Sequence, residues 1–133
     1  MDDEQLIEAA HEARTNAYVP YSEYPVGAAL LTESGEVFRG FNVEIVNYSN
    51  SFHAEEVALM GALRNGYTNF EKLAVVSGED DGVRPCGMCR QTYAEFCGDD
   101  CVIITEADGE IERETLGELL PSAMRPATLV DRE

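Results

Sequence analysis

The stretch Val26-Gly27-Ala28-Ala29-Leu30-Leu31, then Glu33-Ser34-Gly35, then residues 37–43, decides the fold. A short apolar run, a turn and a second short run read as a β-hairpin. Before it, residues 3–18 carry Leu6, Ile7, Ala10, Ala13 and Ala17 at helical spacing, an amphipathic helix broken by Val19-Pro20-Tyr21-Ser22. After it, residues 54–64 read as a helix closed by Asn65-Gly66. Residues 73–77 form a buried strand and residues 79–84 a polar loop, and Pro85 opens a third helix that runs to about Phe96. Residues 102–105 are another buried strand, Asp108-Gly109 turns into a short segment around Ile111, and residues 115–120 make a short helix ended by Pro121. The predicted order is α, β, β, α, β, α, β, β, α. A hairpin followed by alternating strands and helices gives an α/β fold: a mixed five-stranded sheet in a three-layer α/β/α domain, expected to span residues 1–133.

Composition narrows the classes. The chain has 133 residues, 44% of them hydrophobic, enough for the core of one domain. It lacks the eighteen-residue apolar run that a transmembrane helix needs. The start Met-Asp-Asp-Glu-Gln has neither the basic residues nor the apolar run of a signal peptide, so a cytoplasmic location is expected. Acidic residues number 26 against 9 basic ones, a net charge of −17, and Lys72 is the sole lysine. Such a surface repels phosphate backbones, which argues against a nucleic-acid partner. Excess acid with little lysine is also the pattern expected of a halophilic protein, whose self-repulsion is screened by salt.

Two segments carry chemistry: His53-Ala54-Glu55 and Pro85-Cys86-Gly87-Met88-Cys89, with 29 residues between Glu55 and Pro85. In a cytosolic chain, clustered cysteines read as metal ligands or core residues before disulfides. Cys86 and Cys89 share one helical face, at a helix start that favours thiolates. Together with His53 they make three zinc ligands, leaving a fourth position for water, as in catalytic zinc sites. His53 and Glu55 lie about 200° apart within a helix, so they face one metal only if His53 sits at the cap. Glu55 is then a carboxylate beside an activated water, able to take and deliver its proton. A lone Cys-x-x-Cys also fits structural zinc or a redox pair. Cys97 and Cys101 could in principle complete a closed four-cysteine site, but helical rise puts Cys97 more than about 10 Å from Cys89. They read more simply as core residues.

His-x-Glu followed by Pro-Cys-x-x-Cys is the signature of zinc nucleobase deaminases. Here it is joined by Ala17-Tyr18-Val19-Pro20-Tyr21-Ser22 with Val26-Gly27-Ala28-Ala29-Leu30, by Asn42-Val43-Glu44, and by Arg90-Gln91 after Cys89. With these stretches the chain resembles the cytidine deaminase family from Ala17 to Met124, and the first two of them point to enzymes acting on free nucleosides. The resemblance implies hydrolytic deamination of cytidine and deoxycytidine to uridine and deoxyuridine plus ammonia, a step of pyrimidine salvage. One zinc per chain would sit on His53, Cys86 and Cys89. Zinc-bound hydroxide would attack C4, with Glu55 as the proton shuttle. The backbones of Ala54 and Cys86 would hold the base, Asn42 and Glu44 would grip the ribose hydroxyls, and Tyr24 would lie near sugar and base where the family usually has Phe. An amide and a carboxylate two apart on a strand end share one face and can serve a diol. A solvated strand edge at 42–44, and plain core packing for Tyr24, are the other readings of these positions.

Three departures from the family pattern matter. Most short members have Cys at the position of His53 and Arg at that of Glu56; two thiolates with a neutral His leave zinc electrically balanced, so no Arg is required and Glu56 should point away from the metal. Ile45-Val46 replaces the usual Asn-Ala. Met124 stands where an aromatic residue often reaches a neighbouring subunit's site. Short members are homotetramers, and Gly27-Ala28-Ala29 is compatible with close packing between copies. Rival functions are a deaminase of a blasticidin-type nucleoside antibiotic, which Asn42-Val43-Glu44 argues against, and a non-enzymatic zinc-binding module, which would need a fourth protein ligand. A polynucleotide deaminase would need a basic groove.

Overall fold

A computed structural model describes residues 1–129. Five strands, β1 (Val26–Thr32), β2 (Val37–Phe41), β3 (Phe70–Ser77), β4 (Val102–Ala107) and β5 (Glu110–Thr115), form one sheet in the order β2-β1-β3-β4-β5. Only β3 and β4 run parallel; the other neighbours are antiparallel. The expected mixed five-stranded sheet is therefore present. Successive residues of the central strands face opposite sides, and both sides are buried, which is why these strands read as continuous apolar runs. Ala29, Leu31, Ala74, Val76 and Ile104 meet Leu6, Ile7 and Ala10 of helix α1 (Asp3–Arg14). Ala28, Leu30, Leu73, Val75 and Ile103 meet helices α2 (Ala54–Arg64) and α3 (Gly87–Ala94) on the other side. Two short helices, α4 (Leu116–Leu119) and the unanticipated α5 (Pro126–Leu129), follow. Among the described residues no helix is long and apolar enough to cross a membrane.

The sheet brings the chemistry to one edge. Val26 at the start of β1 pairs with Ser77 at the end of β3, and Gly27 pairs with Phe41 at the end of β2. The segments leaving β2 and β3 at this edge lead into the N-termini of α2 and α3. Gly40 permits the close approach of α2: a Cβ there would lie 2.1 Å from the carbonyl oxygen of Ala54. Gly27 does the same for α1, where a Cβ would lie 1.9 Å from the Ala10 oxygen. Ala28 and Ala29 are fully buried in the two cores. The Gly27-Ala28-Ala29 run is thus used within the chain and offers no surface for packing between copies.

Several element ends differ from the expected ones, each for a tertiary reason. Helix α1 stops at Arg14 rather than running to residue 18, because the Tyr18 backbone donates to the Asn42 oxygen at 2.9 Å and accepts from the Glu44 N–H at 2.8 Å. Strand β2 ends at Phe41 rather than 43. The Asn42 side chain there accepts the Val26 N–H at 2.9 Å, and Val43 pairs instead with Tyr18 and Phe52. Helix α3 begins at Gly87 rather than Pro85, with Cys86 as its extended cap (φ −69°, ψ 170°), and ends at Ala94 rather than near Phe96. Strands β3 and β4 are longer than their apolar cores, because edge residues join a ladder once a neighbour is present.

Candidate metal centre and the cleft beside it

His53 is the cap residue of α2, in extended conformation (φ −84°, ψ 149°). The Val43–Phe52 bridge delivers it there, with N–H to oxygen distances of 2.9 and 2.8 Å in the two directions. The Glu56 carboxylate accepts the His53 N–H at 2.9 Å and so closes the helix start. That is the away-facing role expected of it. Cys86 caps α3, and Cys89 lies three residues on, buried in its first turn. Nδ1 of His53 lies 3.2 Å from Sγ of Cys89 and 3.4 Å from Sγ of Cys86. The three ligand atoms all fall within 4.8 Å of one another. A tetrahedral zinc with ordinary bond lengths separates nitrogen and sulfur ligands by about 3.5 Å, so the cluster fits one ion. Two sulfurs and an imidazole also suit zinc chemically. Burial, the Glu55 carboxylate and the Cys86 sulfur all push the Cys89 thiol up. A bound cation would favour the thiolate form of both cysteines, as it does for any coordinating thiol.

Cys97 and Cys101 are buried in the α2–α3 core, past the end of α3. Among the described residues His53, Cys86 and Cys89 are the one candidate ligand group.

Glu55 is in the first turn of α2 and only 5% exposed. Burial pushes its carboxyl above the ordinary value, while backbone hydrogen bonding and the nearby His53 oppose the shift. The fully buried Tyr93 hydroxyl donates to the Glu55 carbonyl at 2.7 Å. Tyr93 follows Cys89 by four residues on α3, so one helical face carries a ligand and the tie to the Glu55 turn. Sequence reading missed Tyr93, whose helical spacing resembles that of any core residue.

Two adjoining hollows open beside the cluster, sharing Asn42 and His53. The inner one, about 200 Å³, is lined by Val26, Ala54, Glu55, Val83, Arg84 and Cys86. The outer one, about 440 Å³, is lined by Tyr21, Ser22, Glu44, Tyr48, Ser51 and Phe52. Ala54 and Cys86 are thus at the inner hollow, and Asn42 and Glu44 at the outer one. Asn42 is pinned by its side-chain oxygen on Val26 and by its Nδ2, which donates to the Tyr24 carbonyl at 3.0 Å. Glu44 accepts the Tyr21 and Ser22 N–H groups on one oxygen, each at 3.0 Å. Hydrogen bonds from Ser22 and Tyr21 hold the Glu44 carboxyl below its usual value. Tyr24 lines neither hollow; its hydroxyl donates to Asp81 at 2.5 Å. Arg84, unmarked in the sequence, sits at the inner rim with its guanidinium held by Glu114 at 2.5 Å, Glu112 at 3.1 Å and the Gly82 carbonyl at 2.6 Å. Met124 is exposed, and its carbonyl accepts from Gln91 at 2.7 Å.

Residues 1–105 match the family model described as the cytidine and deoxycytidylate deaminase zinc-binding region. A cytidine deaminase of Sporosarcina psychrophila is 48% identical over 124 residues, covering 92% of this chain and 91% of that protein. One from Halalkalibacterium halodurans is 42% identical over 132 residues, covering 98% and 100%. The crystal structure of cytidine deaminase from Burkholderia pseudomallei superposes with a TM-score of 0.88 at 41% identity, covering 93% of this chain and 100% of that one.

Proposed function

This chain belongs to the cytidine and deoxycytidylate deaminase family, and from that premise we propose that it hydrolyses cytidine and deoxycytidine to the uracil nucleosides and ammonia. The observation that carries this reading is a buried carboxyl, Glu55, set against the His53, Cys86 and Cys89 cluster at the floor of a cleft whose outer half presents Asn42 and Glu44. Zinc, when bound by the three ligands, supplies the Lewis acidity that makes water nucleophilic near neutral pH. Glu55 would take a proton from the attacking water and give it to ring N3, then take the proton of the new C4 hydroxyl and give it to the amine, which leaves as ammonia as the C4 carbonyl forms. The inner hollow receives the base between Val26, Val83 and the Ala54 and Cys86 backbones. To the sugar hydroxyls Glu44 presents a free carboxylate oxygen, and Asn42 the second N–H of an amide nitrogen that already donates to Tyr24. Their other atoms are tied to backbone, so little ordering is needed on binding.

Ammonia release from cytidine, from deoxycytidine, and from blasticidin S decides between the nucleoside reading and the antibiotic reading. Release from cytidine supports ours; release from blasticidin S alone sinks it. Because the sugar grip contributes to transition-state binding, free cytosine should show a kcat/KM at least about 100-fold below that of cytidine. Glu44→Gln should mainly raise KM for cytidine. Equal rates on cytosine and cytidine would show that Asn42 and Glu44 do something else.

The working protein is proposed to be a cytoplasmic homotetramer from a salt-rich cell. Met60, Met88, Met124, Val46, Tyr48 and Phe52 are large apolar side chains exposed on the single chain, which supports cover by further copies. The charge supports the salt dependence. Lys72 is bound to Asp3, as is Arg113, and the 9 cations cannot offset 26 acids. The Debye length falls from about 30 Å at 0.01 M to about 3 Å at 1 M salt, which removes most repulsion within and between chains. Assembly and turnover should therefore decline together as potassium chloride is dialysed away. A tetramer fully active in dilute buffer ends the halophile reading and leaves the deaminase reading untouched.

A further inference from the structure

The strip of residues 21–25 holds the sugar-facing side chains without lining the metal. Its Tyr21 and Ser22 N–H groups hold Glu44, and its Tyr24 carbonyl holds Asn42. The strip is a tight turn. Glu23 adopts a left-handed φ of 56°, its N–H bonds back to the Val19 carbonyl at 3.0 Å, and the Tyr24 N–H bonds to the Ser22 hydroxyl at 3.0 Å. A non-glycine residue in that region persists only where surrounding contacts hold it. Those contacts come from the segment that follows β3, the neighbour of β1. Tyr24 donates its hydroxyl to Oδ2 of Asp81 at 2.5 Å, and Gly78 donates its N–H to the Pro25 carbonyl at 3.2 Å. Asp81 is itself fixed, because Ser77 at the end of β3 donates to its Oδ1 at 2.7 Å and its backbone bridges Ala107 of β4. The Asp81 segment also leads directly to Val83 and Arg84 at the inner hollow.

We propose that Tyr24 and Asp81 are positioning residues: their hydrogen bond braces the strip that aims Asn42 and Glu44 at the sugar against the loop that walls the base. The bond ties the strip to the loop after β3, beside the Pro25–Gly78 hydrogen bond that continues the β1–β3 ladder. Burial and Asp81 push the Tyr24 phenol up, while Tyr24 and Ser77 hold Asp81 low. The pair therefore remains a phenol donating to a carboxylate through the neutral range. Neither side chain touches the reacting atoms, so loosening the brace should weaken binding of the nucleoside and leave the chemical step alone. The inference rests on the nucleoside reading for its kinetics only.

The test is a double-mutant cycle with two readouts. Tyr24→Phe removes only the hydroxyl, Asp81→Ala removes the acceptor, and Asp81→Asn keeps an acceptor oxygen. Each single loss should raise KM for cytidine roughly three- to tenfold, the scale of one hydrogen bond, with kcat within about twofold. The double variant should be no worse than either single, and Asp81→Asn should recover most of the loss. Hydrogen exchange at the Tyr21 and Ser22 amides, measured on the zinc-loaded protein without substrate, should accelerate in Tyr24→Phe. Unchanged exchange there, additive KM effects, or a loss in kcat with constant KM would each overturn the brace. If the wild-type protein does not turn over cytidine, the nucleoside reading fails, and the exchange measurement still decides the brace.

Discussion

Glu55→Gln is expected to retain zinc and fold and to lose about 10²–10⁴-fold in cytidine turnover. Glutamine matches the shape of the side chain but cannot shuttle a proton. Stability should not suffer, because burial already disfavours the charged carboxylate, and a neutral amide is no harder to bury. The backbone tie from Tyr93 to the Glu55 carbonyl is untouched by the change. Metal content, melting temperature and steady-state rate together make the test. A Gln variant with near-normal turnover removes Glu55 from the chemistry, and one that loses zinc shows that the carboxyl supports the metal instead.

The second large effect concerns the metal. His53→Ala, Cys86→Ser and Cys89→Ser should each reduce zinc from one per chain to a small fraction and lower turnover by more than about 100-fold, the upper range reached by outer-shell substitutions alone. The same changes should lower the melting temperature, because an ion that binds only the folded chain stabilises it. Cys97→Ser and Cys101→Ser serve as controls. They place a hydroxyl in an apolar core and should cost stability, yet each should keep one zinc per chain. Loss of zinc in either control would overturn the three-ligand assignment, which places both thiols in the core and away from the cluster.

The parts of this protein legible in its sequence are those governed by short-range rules. Ala28 to Leu31 and Leu73 to Val76 are unbroken apolar runs, so they read as strands buried on both faces. The cap position of His53 follows because His53 and Glu55 cannot otherwise face one ion. The three ligands follow from residue type and spacing, and the structure brings His53, Cys86 and Cys89 within 4.8 Å. Where a distant segment competes for the backbone, sequence reading fails. Residues 15–18 keep the helical pattern, but Tyr18 is taken by Asn42 and Glu44. Residues 42 and 43 keep the strand pattern, but Asn42 turns its amide onto Val26. The resemblance puts Tyr24 near sugar and base, and the structure ties its hydroxyl to Asp81, fifty-seven residues away. Spacing along the chain dictates which side chains share a face of one helix or strand. Which hydrogen-bonding groups remain free for a ligand depends on partners that only the packed sheet and its loops bring within reach.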